Sequence, residues 1–149
     1  NNCCRGSLPA LCLFQLLLFQ EGITMDQDLK KQLSQDPDGL LTYEYIANHI
    51  GQCDDIMPEL VDNMILVDKT GQFVASAARY LNAIDPERYA TCINTLVGAA
   101  IEKDRDRLYL ANLVESLYGT DYVLRAAELS ETDDNFRRIY KRLVPPRGL

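Results

Sequence analysis

The chain reads as an all-α fold of about seven to eight helices, either a multi-helix bundle or a short stack of antiparallel helical hairpins. Three observations predict this. Apolar residues recur at helical spacing over most of the sequence, most clearly at Tyr89, Ile93, Leu96, Val97, Ala100 and Ile101. Helix starts and stops punctuate that pattern at regular intervals, as at Asp36-Pro37-Asp38-Gly39 and Asp85-Pro86-Glu87. Finally, the stretch from Asp54 to Gly119 echoes itself after about 36 residues, a period within the range of helical-pair arrays. In this register Met57 falls on Ile93, Leu60 on Leu96, Val61 on Val97 and Ile65 on Ile101. Asp68 falls on Asp104 at the turn, and beyond it Phe73 meets Tyr109, Ala75 meets Ala111 and Leu81 meets Leu117.

At 149 residues the chain is long enough for one domain with a sizeable core. Its formal net charge of −7 does not suit broad attraction to phosphate backbones or anionic membranes, and does suit a basic partner. The five cysteines are odd in number, and three of them crowd the first dozen residues. Cys53 and Cys92 lie far apart without metal-ligand spacing, so they read as free thiols of a reducing cytoplasm.

Residues Leu8 to Phe19 form an apolar run that resembles a short secretory core and is too short for a comfortable membrane span. Gln20-Glu21-Gly22 can be encoded by a purine run like a bacterial ribosome-binding site, with Ile23 and Thr24 as spacer before Met25. Residues 1–24 are therefore expected to be a leader foreign to the native protein, and residues 25–149 a single all-helical domain. A chain that starts at Met25 carries no membrane segment.

Met25 to Gln35 holds Leu29 and Leu33 one turn apart and predicts a short first helix. Asp36 to Gly39 is a stop and turn, and Leu40 to Ile50 is the next helix, with Thr42 as candidate N-cap and Gly51 ending it. Ile56 to Val67 follows, with Pro58 tolerable in its first turn. Lys69-Thr70-Gly71 turns the chain into Gln72 to Ile84, where Ala75, Ala77 and Ala78 let another helix approach closely. Asp85 is expected to cap the following helix, with Pro86 at its first position. The alternating charges of Glu102 to Arg107 read as a solvated turn. Leu110, Leu113, Val114 and Leu117 then repeat at helical spacing up to Gly119. Thr120-Asp121 should cap a short helix through Leu129, and Asn135 to Val144 a last one.

Two resemblances attach to these segments. The Asp turn followed by Val74, Ala77, Ala78 and Leu81 resembles HEAT-type repeats, with a weaker match where Leu113 and Val114 replace the two alanines. It implies a helical-repeat fold whose function is binding another protein. Thr42, Ile46, Ala47, Ile50, Gly51, Met57, Leu60, Val61 and Met64 resemble the helix-turn-helix of winged-helix regulators, which implies DNA binding. Here the sequence departs from the pattern. The would-be recognition helix offers Asp54, Asp55, Glu59 and Asp62, with only Asn63 suited to base readout.

The chemistry-bearing patterns are sparse. The sequence holds no Gly-rich phosphate loop, nucleophile frame or zinc spacing, so no catalytic, cofactor-binding or metal residues are assigned. His49 stands alone on its helix. In the last helix Arg137, Arg138, Lys141 and Arg142 share a face, a basic contrast to the acidic body, and they form the candidate interaction surface. The expected function is a non-enzymatic protein–protein interaction module of a bacterial cytoplasmic protein, with an unidentified protein partner, no cofactor and no nucleic acid. A helix-turn-helix regulator is the alternative; a multi-helix carboxylate enzyme comes third.

Overall fold

Helical spacing, strong turn punctuation and a run of small residues at Ala75–Ala78 set the architecture seen in the computed structural model, which describes residues 25–144. Among these residues there are eight α-helices and no strand. They are α1 (Gln27–Ser34), α2 (Leu40–Asn48), α3 (Met57–Val67), α4 (Gln72–Ile84), α5 (Ala90–Lys103), α6 (Leu110–Tyr118), α7 (Ala126–Thr132) and α8 (Asp134–Leu143). One 3-10 turn, Asp54–Ile56, precedes α3. The expected leader lies outside the described residues.

The helices alternate between two layers. One holds α1, α3, α5 and α8, each against the next; the other holds α2, α4 and α6 in the same order. The core runs without a break from Met25 and Leu33 through Met57, Leu60, Leu81, Leu96 and Leu113 to Phe136 and Ile139. The tightest pairing is α4 with α5. A steric reason is at hand: Ala75, Ala77 and Ala78 on α4 are all buried, and small side chains let neighbouring helices approach closely. The close antiparallel partner of α4 therefore lies across the Asp85 connection, while the Asp turns direct their flanking helices apart.

Three of those turns share one device. Asp36, Asp68 and Asp104 are each 4 % exposed or less, and each points its carboxylate at the start of the helix that follows. Asp68 accepts from the backbone N–H groups of Thr70 and Gly71 through Oδ1, and of Phe73 and Val74 through Oδ2, at 2.9–3.0 Å. Asp104 accepts from Leu108, Tyr109 and Leu110. Asp36 accepts from Asp38, Gly39 and Thr42, and from the Thr42 hydroxyl at 2.7 Å. A helix start has N–H groups without intrahelical acceptors, and one buried carboxylate meets several of them at once. Thr42 is therefore not the N-cap of α2. Gly39 holds that position, and Thr42 is a buried donor to the Asp36 brace.

The turns also seat on one another. A Cβ at Gly39, where φ is +109°, would lie 3.1 Å from the Phe73 Cβ and 3.4 Å from that of Asp68 in the next turn. A Cβ at Gly71, where φ is +91°, would lie 3.2 Å from the Cβ and backbone N of Asp104. Only glycine meets both demands. The third turn has Arg107 in that place, at φ 58°.

Two predicted starts shift. Asp85 caps a turn rather than α5, accepting from the Arg88 N–H at 3.1 Å, and α5 begins at Ala90. The turn places Tyr89 so that it is buried with its hydroxyl donating to Asp54 at 2.7 Å. Likewise 119–125 is a chain of tight turns, and α7 begins at Ala126.

Candidate functional site

The layer of α2, α4 and α6 leaves an open groove of about 500 Å³ on its outer side. Tyr43 of α2 forms one end. Ser76, Arg79, Tyr80 and Ala83 of α4 form the bed, and Ser116 of α6 the far side. The amphipathic pattern of α4 causes this: its apolar face is spent on the core, so residues between the buried alanines face outward. Tyr43 meets Tyr80 edge-on, with ring centroids 6.2 Å apart, and also leans on Phe73 at 6.5 Å. Arg79 donates from Nε to the Ser116 hydroxyl at 3.1 Å, and the Asn82 amide donates to the Ser116 carbonyl at 3.3 Å. These two bonds tie α4 to α6 and orient Arg79 along the bed.

A second, smaller pocket of about 200 Å³ begins at Asn82, which lines both. Ile93 and Val97 of α5 and Leu117 of α6 give it apolar walls; Tyr118 and Asp133 are among its polar lining groups. The Tyr118 hydroxyl donates to Asp133 Oδ2 at 2.7 Å. Burial and the adjoining carboxylate raise the Tyr118 pKa well above the ordinary phenol value, so it stays a protonated donor. Asp133 Oδ1 also accepts from the Phe136 N–H and so caps α8.

The sequence-predicted basic face is divided: Arg138 and Arg142 turn back on the protein, while Arg137 and Lys141 are exposed. Arg142 donates to the carbonyls of Ile101, Asp104 (2.9 Å) and Arg105 (3.0 Å), closing the C-terminal end of α5. Arg138 reaches Glu102 at 3.7 Å, Arg137 pairs with Asp134 on its own helix, and Lys141 is exposed. Asn63, the one base-reading candidate, donates to the Leu33 carbonyl and the Thr42 hydroxyl, both at 3.0 Å. His49 stacks on Tyr45 at 4.0 Å, with Nδ1 2.8 Å from the Tyr45 carbonyl.

Another titratable group of residues sits where the 3-10 turn meets α5. Asp54 pairs with Arg88 and accepts from Tyr89, whose pKa is pushed up to about 12 by burial and by that bond. Burial first, then Asp54 and Asp55, pushes the buried Cys53 thiol up to about 11. Burial also raises the Cys92 thiol. Among the described residues both are free cysteines, held in the unreactive thiol form. No grouping of His, Cys, Asp and Glu among the described residues has the geometry of a metal centre.

Comparison with family models, with curated proteins and with solved structures returned no match.

Sequence reasoning missed the groove because its lining comes from helices far apart in the chain. One signal was available. Asp36-x-x-Gly39 and Asp68-x-x-Gly71 have the same spacing, which puts α2 and α4 in equivalent places and so side by side.

Proposed function

We propose that this chain is a non-enzymatic protein–protein interaction module, a short HEAT-like stack that holds a segment of a partner protein in the groove of α2, α4 and α6. The supporting observation is the groove itself. Three helices from separate parts of the chain converge on it, and they present tyrosine and arginine, the side chains most often found at binding hot spots. The braced turns support the HEAT-like reading, because the same carboxylate geometry precedes each of the three helices. A cytoplasmic setting accords with the free thiols of Cys53 and Cys92. No described helix is long and apolar enough to cross a membrane. Nothing favours the regulator alternative: Asn63 is committed to the α1 and α2 ends, and Asp54 to Arg88 and Tyr89.

Ala83→Trp tests the reading, because Ala83 is exposed and a large side chain there fills the groove without touching the core. The immobilised full chain should retain a protein from an extract of its own cells, and the purified pair should bind at least tenfold more weakly with Ala83→Trp. Equal binding by the variant would remove the groove from the interaction.

A further inference from the structure

The pocket that continues the groove past Asn82 has a chemical bias. Three of its lining side chains already donate inside the protein. The Asn82 amide donates to Ser116, the Asn135 amide to the side chain and backbone oxygens of Asn94, and the Tyr118 hydroxyl to Asp133. Acceptor capacity remains on the Asn82 side-chain oxygen and on the carboxylate of Asp133, the one formal charge in the lining; the Asn94 oxygen already accepts from Asn135. Each carboxylate oxygen of Asp133 accepts a single internal bond, leaving capacity for more. Beside these acceptors lie the apolar walls of Ile93, Val97 and Leu117.

An acceptor-rich, negatively charged end next to an apolar wall fits a side chain with a methylene stem and a cationic donor head. We propose that this pocket receives a lysine or arginine side chain of the partner segment lying in the adjoining groove. The inference rests on the reading of the chain as an interaction module, and it adds the chemistry of one partner residue. Charge complementarity supports the choice: an acidic side chain would face Asp133 directly, and a neutral amide would leave the Asp133 charge without a counter-charge. The overall charge of −7 acts in the same direction over longer range.

The test uses the full chain and three small probes, Nα-acetyl-lysinamide, Nα-acetyl-argininamide and Nα-acetyl-norleucinamide, followed by NMR titration. The cationic probes should shift the methyl signals of Ile93, Val97 and Leu117, with norleucinamide at least tenfold weaker. Asp133→Asn keeps a capping side chain for α8 and should weaken the cationic probes about tenfold, leaving norleucinamide unchanged. Ala90→Trp, at an exposed position on the pocket rim, should abolish binding of all three without altering Asp133. Equal affinity for norleucinamide, cationic binding that survives both variants, or no shifts at all would overturn the proposal. Loss of the pocket proposal alone leaves intact a partner interaction sensitive to Ala83→Trp. Equal binding by Ala83→Trp would instead remove the groove reading on which this proposal rests, and the probe titration reads the pocket separately.

Discussion

Replacing Asp68 by alanine should be among the most damaging single changes in the chain. The side chain is 1 % exposed and meets four backbone donors. Thr70 is exposed and Phe73 half-buried, so water can replace the carboxylate there. Gly71 and Val74 are buried, and their N–H groups would be left without an acceptor. An unmet buried donor costs about 1–3 kcal/mol, so two give about 2–6 kcal/mol before relaxation. We expect about 3 kcal/mol, a large share of a typical stability of about 5–15 kcal/mol. Asp68→Asn should lose less, since its oxygen can still serve one pair of donors while its NH₂ opposes the other. The control is Asp38→Ala: Asp38 is exposed and accepts only from Leu40, so about 0.5–1 kcal/mol is expected. Urea unfolding followed by circular dichroism measures all three. A loss below about 1 kcal/mol for Asp68→Ala, or one no larger than that of Asp38→Ala, would refute the bracing argument.

Arg107→Gly should stabilise by about 0.5–1 kcal/mol, because it relieves a left-handed backbone cost of about 1–2 kcal/mol at a smaller entropic one; a lower thermal midpoint would contradict this. Ala78→Leu should cost roughly 1–3 kcal/mol in urea melts by overpacking the α4–α5 contact, and an unchanged midpoint would argue against close packing there. Acid should also weaken the fold at Asp36. Burial pushes its carboxyl up, but the Thr42 hydroxyl and three N–H groups outweigh that and hold its pKa below the ordinary 3.8. A depressed folded-state pKa gives stability that is present above 3.8 and lost as pH falls through the lower folded value. Asp36→Asn should therefore flatten the acid limb of a stability–pH curve, and an unaltered limb would discount this carboxylate. Finally, selection from random duplexes at near-physiological salt should yield no reproducible motif; recovery of one would favour the regulator alternative.

The all-helical architecture was legible because long apolar stripes such as Tyr89 to Ile101 specify helix regardless of their neighbours. The equivalence of Asp68 and Asp104 was legible for the same reason: matching helices frame both. Asp36 escaped because its flanking helices are short, and Asp-Pro-Asp-Gly satisfies the pattern of any turn. Thr42 suited an N-cap by residue type, but a carboxylate from six positions upstream took the role. The start of α5 moved for a tertiary reason, the burial of Tyr89 against Asp54, which no local pattern encodes. Neither groove nor pocket could be read from spacing, since each depends on which distant helices become neighbours. The basic stripe of α8 was visible, but that Arg142 would reach back to α5 was not.

The seating of each turn on the next gives the chain a rule for growth. A duplicated segment spanning 68–103, inserted after residue 103, would bring its own glycine to receive the following aspartate at the 3.2 Å approach seen between Gly71 and Asp104. No such addition fits beyond the third turn, where Arg107 puts a side chain in the position that a further aspartate would have to reach. An inserted segment of this kind is thus accommodated before the third turn, and not after it.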